Sequence, residues 1–170
     1  VKGVVAESVL PEGYAILNAD DDLVYEMRKT VSCNVALFSL DEKNPRIQKH
    51  TERGGIAAIV ENGYITICKG TWKIRADKVI NIPLTFSGKA VFMIQNILPA
   101  VLAGFVRGFK VEDIRLALET FIPSPTQTPG RMNLFQFKKF DVMVDYAHNP
   151  AGFQAIARFL ERIEARPKVG

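Results

Sequence analysis

The chain has 170 residues, 48% hydrophobic and 24% charged, and 22 Lys and Arg against 18 Asp and Glu leave a net charge of +4. That profile excludes disordered, collagen-like and coiled-coil chains and fits one well-buried domain or two small ones. The basic excess is small and scattered, which does not indicate nucleic acid.

Gly13 to Asn18 reads as a short buried strand, and Asp20, Asp21 and Asp22 then cap a helix from about Leu23 to Lys29. Acidic residues in a first turn suit the positive end of the helix. Cys33 to Ser39 is a second apolar run, Pro45 to Arg53 a polar helix opened by its proline, and Ile56 to Val60 a third strand. Strand, helix, strand, helix, strand is the rhythm of a parallel α/β sheet. Lys43, Arg46, Lys49 and Arg53 form the densest basic group; set among acidic residues, they read as a solvated helix face, with a phosphate-tracking stripe as the alternative.

The pattern changes after Val60. Glu61-Asn62-Gly63 is a hairpin signal, followed by Tyr64 to Cys68, a turn at Lys69-Gly70, and Thr71 to Arg75, where Trp72 and Ile74 alternate with polar residues. This predicts an antiparallel ribbon with one wet face. A helix is expected over 91–107, and a second over 111–121, where Val111, Ile114, Ala117, Leu118 and Phe121 have helical spacing. Pro123 to Gly130 holds three prolines and a glycine and marks a hinge or domain boundary. Beyond it, Leu134 to Phe137 and Val142 to Asp145 read as a hairpin, and Asn149-Pro150 opens a helix to about Glu164.

Cys33 and Cys68 sit in separate apolar runs, which favours buried free thiols over a metal knuckle or a disulfide framework. No apolar stretch reaches membrane length, since the longest, from Ile94 to Val106, is broken by Gln95, Asn96, Pro99 and Gly104. A cytoplasmic location is expected. The chain opens Val1-Lys2-Gly3 without methionine and stops at Lys168-Val169-Gly170 after a turn-like Arg166-Pro167, so both ends are read as cuts.

Three constellations carry candidate chemistry. Asn18 stands at the end of a strand beside a helix start, where open α/β sheets bind ligands, and its amide offers the donor and acceptor that an adenine edge needs; a helix cap is the plainer alternative. In Thr128 to Asn133, Gly130 admits close backbone approach and Arg131 presents a fork of donors that matches phosphate oxygens, unless it is an ordinary linker arginine. In Val144 to Pro150, Asp145 ends an apolar strand and can accept from ribose hydroxyls. His148 and Asn149 lie at a helix amino terminus, which favours anions, with capping as the alternative role of His148. The chain lacks a GxxxxGK[ST] phosphate loop, an HExxH and a GxSxG motif, so these residues do not make a self-sufficient active site.

In this order the three constellations resemble the Mur ligase family of ATP-dependent amide-bond-forming enzymes. Residues 18–21 are similar to the family's segment at the adenine, Pro129-Gly130-Arg131 to its arginine motif, and Asp145 to Pro150 to its ribose and phosphate motif. Residues 5–11, 88–96, 127–135 and 144–152 resemble a narrower branch that polymerises aspartate and arginine. The resemblance implies an α/β chain. Residues 1–122 would be the latter part of a central parallel-sheet, ATP-binding domain with a small antiparallel ribbon, and residues 123–170 a hinge and the start of a Rossmann-like C-terminal ligase domain. Carried over by position, Asn18, Asn96, Arg131, Asp145, His148 and Asn149 would bind ATP, with Arg131 and His148 in catalytic roles. The sequence departs from the family where a His-Asn pair is expected, with Phe92 and Met93 in its place. Magnesium ligands and the phosphate loop are expected before residue 1, and no metal ligand is assigned here. The implied partners are L-arginine, L-aspartate and a polymer primer, with homo-oligomers in the full-length protein and neither nucleic acid nor membrane. A non-catalytic module that serves oligomer contacts or polymer anchoring is the competing reading.

Overall fold

The computed structural model describes residues 3–163. The terminal residues 1–2 and 164–170, and with them the expected helix end at Glu164, lie outside the described part.

Five strands form one sheet in chain order: β1 (Tyr14–Asn18), β2 (Asn34–Ser39), β3 (Ile56–Glu61), β4 (Tyr64–Lys69) and β5 (Trp72–Lys78). The first three are parallel, with Leu17 opposite Leu37 and Ala36 opposite Ile56. A short helix α1 (Gly3–Glu7), which no sequence signal announced, precedes them. Helices α2 (Asp22–Glu26, continued by a 3-10 turn at Met27–Lys29) and α3 (Pro45–Glu52) make the crossovers. Each begins where its cap dictates. The Asp21 carboxylate accepts from the Val24 N–H at 2.9 Å, and the Asn44 side chain accepts from the Arg46 N–H at 2.9 Å ahead of Pro45.

Asn62 and Gly63 both take positive φ, 51° and 76°, the two-residue turn that matches strand twist and reverses β3 into β4. The expected ribbon is therefore continuous with the parallel sheet through β3, and the sheet is mixed. Its wet face is also smaller than alternation predicted. Ile65 and Ile67 of β4 are buried on one side and Thr66 and Cys68 on the other, and only the start of β5 is open. The cause is the helical layer: Ile94, Ile97, Leu98, Val101 and Leu102 of α4 (Val91–Val106) pack over Ala36, Phe38, Ala58, Ile65 and Ile67. Helix α5 (Val111–Thr120) adds Val111 and Ile114, and its Arg115 donates to the Ala76 and Arg75 carbonyls of β5 at 2.6 and 3.0 Å. The other sheet face buries Ala15, Leu17, Leu37, Ala57, Ile59 and Cys68 beneath α2 and α3, where Ile47 of α3 joins them. Both cysteines are free, Cys68 buried as expected but Cys33 only half-buried.

Residues 121–132 form neither helix nor strand, which agrees with their prolines. The chain then makes an antiparallel pair, β6 (Asn133–Gln136) and β7 (Asp141–Val144), and α6 (Pro150–Arg162). One apolar cluster ties this part to the large sheet domain: Phe159 of α6 and Met132 meet Ala90 and Met93, and Phe159 lies edge-on to Phe86 and Phe92 at 5.2 and 6.5 Å between ring centres. Among the described residues no helix is long and apolar enough to cross a membrane.

Candidate functional site

The hairpin register explains how residues fifteen apart come together. Asn133 pairs with Val144, so the residues just before β6 and just after β7 leave the hairpin at the same end. There the two segments are stitched. The Met132 N–H donates to Asp145 Oδ2 at 3.0 Å, and the Tyr146 N–H donates to the Gly130 carbonyl at 2.7 Å. Asn133, 2% exposed, holds the loop from inside: its Oδ1 accepts from the Gly130 N–H at 2.8 Å, and its Nδ2 donates to the carbonyls of Thr128 and Arg131 at 3.0 and 3.3 Å. Gly130 takes φ +68°, which glycine accepts without strain, and Met132 takes φ +52°, a left-handed conformation that a side chain adopts at a cost and that the Asp145 bond offsets.

Onto this clamp the sequence places its functional groups. The Arg131 guanidinium is exposed and lies 5.7 Å from the centre of the Tyr146 ring, an aromatic face that orients the cation. The Tyr146 ring also lies 5.2 Å from that of His148. His148 Nδ1 donates to the Tyr146 carbonyl at 3.1 Å, which leaves Nε2 as the outward acceptor. Asn149, next in the chain after His148, caps α6 by accepting from the Gly152 N–H at 2.8 Å. Asp145 Oδ1 has no hydrogen-bond partner among the described residues and can accept from a hydroxyl.

Arg131, Asp145 and His148 thus gather at the hairpin end around Tyr146, and Asn149 follows them in the chain as the cap of α6. Asn18 and Asn96 do not join them: among the described residues no hydrogen bond connects either to the Arg131 loop. Asn18 ends β1, and its Oδ1 accepts from the Asp20 N–H at 2.9 Å, so half of its amide closes a turn. Asn96 is exposed on α4, one turn beyond Phe92 and Met93, which are absorbed into the Phe159 cluster.

Two features escaped the sequence reading. Asp20, expected only to help cap α2, instead ties the ends of β1 and β2, accepting from Ser39 Oγ at 2.5 Å and from the Leu40 N–H and Asn44 Nδ2, each at 2.9 Å. Tyr146 is the platform for Arg131 and His148; an aromatic residue between Asp145 and His148 was the available signal.

No family model matches the chain. Curated proteins do. Cyanophycin synthetase of Geminocystis herdmanii is 52% identical over 161 residues, covering 95% of this chain and 18% of its own. The chain is a relative of the cyanophycin synthetases. That of Nostoc sp. is 46% identical over 170 residues, 100% of this chain and 19% of its own. A UDP-N-acetylmuramate--L-alanine ligase of Acetivibrio thermocellus is 29% identical over 154 residues, 86% of this chain and 29% of its own, which extends the likeness to Mur ligases. The chain spans less than one fifth of the length of the cyanophycin synthetases it matches. The broad resemblance to Mur ligases holds, the narrower one holds as likeness to the cyanophycin synthetases, and the α/β architecture fits the same relatives.

The donor set at the hairpin end suits one side of a nucleotide: a cation for phosphate, a free carboxylate oxygen for ribose and a helix amino terminus. Among the described residues no group of three or more His, Cys, Asp or Glu side chains could hold a metal ion, so no residue here is assigned to magnesium.

Proposed function

We propose that this chain is part of an ATP-dependent ligase of the cyanophycin synthetase kind, which polymerises L-aspartate and L-arginine on a cyanophycin primer as a nitrogen-storage polymer. Residues 1–122 belong to the central ATP-binding domain and residues 123–170 to the hinge and the first part of the C-terminal domain. This module adds arginine to the aspartate β-carboxylate: the carboxylate takes the γ-phosphoryl group of ATP with release of ADP, and the arginine α-amine attacks the acyl phosphate, forming the amide and expelling inorganic phosphate. The observation that carries the reading is the assembly of Arg131, Asp145, His148 and Asn149 at one end of the β6–β7 hairpin, within a stretch 52% identical to a cyanophycin synthetase.

In this reading Arg131 meets the phosphates from the hinge and steadies charge as it develops on the transferring group. Asp145 Oδ1 accepts from the ribose, and the amino terminus of α6 with Asn149 faces negative charge. His148, fixed through Nδ1, presents Nε2 beside the nucleotide. Asn18 contacts the adenine through its Nδ2, and Asn96 approaches it from α4. Magnesium, when bound, would be held by ligands outside these residues and would supply positive charge against the phosphates. The protein acts in the cytoplasm as a homo-oligomer, without nucleic acid or membrane.

The second reading, a module kept for oligomer contacts or polymer anchoring, draws on Phe92 and Met93, which fill with apolar packing the positions where the Mur ligase resemblance expects polar adenine contacts. Arginine-dependent ATP consumption on a primer separates the two. The full-length enzyme is expected to consume ATP and the isolated 170 residues are not; absence of arginine-dependent consumption by the full-length enzyme would favour the second reading, and clear turnover by the isolated chain would overturn the expectation that its site is incomplete.

A further inference from the structure

The basic group on α3 does not simply face water. Arg46, Lys49, His50 and Arg53, with Tyr25 and Arg28 from the α2 segment and Val35 and Leu37 of β2, line a pocket of about 270 Å³. Among the described residues no carboxylate lines it. Two of its cations are already committed. The Arg28 guanidinium lies 3.7 Å and that of Arg46 4.4 Å from the centre of the Tyr25 ring. Arg28 pairs with Glu26 at 2.9 Å, while Arg46 pairs with Asp22 and donates to the Ala19 carbonyl at 2.9 Å. His50 is set against protonation by burial, which pushes its pKa down against the opposing hydrogen bonds to the Ile56 and Val35 carbonyls; Nε2 donates to that of Ile56 at 3.2 Å.

Lys49 and Arg53 remain. Lys49 is in the last turn of α3 and Arg53 is its C-cap residue; both are exposed, and neither has an acidic partner among the described residues. Two unmatched positive charges at the mouth of a pocket walled by prefixed guanidinium groups create a local field that a dianion neutralises and a single carboxylate only halves. The Tyr25 ring and the ion pairs hold Arg28 and Arg46 in place as an ordered wall, while Lys49 and Arg53 carry the uncompensated charge.

We propose that this pocket binds a doubly charged phosphate group, free or as a monoester. It shares no residue with the Arg131 and Asp145 group, so it stands or falls apart from the ligase reading. The test is titration calorimetry on the full chain at constant ionic strength, with inorganic phosphate, glycerol phosphate, acetate and poly-aspartate as probes. Saturable binding of either phosphate compound is expected, weakened at least tenfold in the Lys49→Ala, Arg53→Ala double variant and unchanged in Lys138→Ala, which removes an exposed charge at the β6–β7 turn. The tighter of the two phosphate probes identifies a free or an esterified group. Acetate or poly-aspartate binding as tightly as phosphate, equal loss in Lys138→Ala, or no saturable phosphate binding would overturn the proposal. Circular dichroism checks the fold, and Lys49→Gln gives the same readout should the double variant unfold.

Discussion

Two hairpins in this chain are written in similar residues and end in opposite conditions. The β3–β4 pair is covered on both sheet faces, whereas in the β6–β7 pair Leu134, Phe135, Val142 and Val144 are 38–45% exposed. The local pattern of apolar runs around a turn is the same; the difference is what packs on it. Helices α3 and α4 flank the first hairpin, while the second unit reaches the rest of the molecule through the cluster around Phe159 and Met132. Buried apolar surface is concentrated in the first region, while Arg131, Asp145, His148 and Asn149 ride on the second. Segments with little buried apolar surface open at lower free energy than a core, which suits a part that must close over a ligand.

This contrast is most sharply tested by matched truncations. Phe159→Ala removes a ring 2% exposed and is expected to cost about 3–5 kcal/mol, read by hydrogen exchange as lost protection in residues 132–163 while β1 to β5 keep theirs. Leu98→Ala, in the buried face of α4, is expected to cost about 2–5 kcal/mol and to lower protection throughout the sheet. Loss of sheet protection in Phe159→Ala would merge the two regions into one cooperative unit.

Within the large domain, a Cβ at Gly55 would lie 2.4 Å from His50 Nε2, so Gly55→Ala is expected to destabilise by about 1–3 kcal/mol in chemical denaturation. The same histidine sets a pH dependence. Burial lowers its folded pKa, so the unfolded chain takes up the proton first: its contribution is intact above the ordinary histidine value near 6.5 and is lost as pH falls below it. Unfolding free energies are expected to fall as pH is lowered from 7.5 to 5.5, with a slope of at most about 1.4 kcal/mol per pH unit from this group, and His50→Gln to flatten that component. The smallest effect belongs to Thr66, fully buried on β4 with an Oγ1 that has no hydrogen-bond partner among the described residues; Thr66→Val is expected to be neutral or stabilising by under about 1 kcal/mol in the same assay.

The parallel strands, their crossover helices and α4 to α6 were legible because periodicity and caps act locally: Asp21, Asn44 and Asn149 each cap the helix that follows. The single mixed sheet was not legible, since joining a ribbon to β3 depends on register and on the reach of α4, which no short window contains. The site followed the same division. Arg131, Asp145, His148 and Asn149 could be picked out as residue types beside turns and strand ends. That Asp145 fixes the backbone of Met132, and that Tyr146 orients Arg131, required the pairing of Asn133 with Val144. The basic face of α3 was underread for a related reason: Tyr25 and Arg28 come from another element, and they turn a row of cations into a pocket.

The central claim is that the exposed, lightly anchored region carries arginine addition. Stepwise extension of a primer by the full-length enzyme, scored separately for aspartate and arginine, tests it with Arg131→Ala. Arginine addition is predicted to be abolished while aspartate addition persists; arginine addition at the unaltered rate would contradict the assignment.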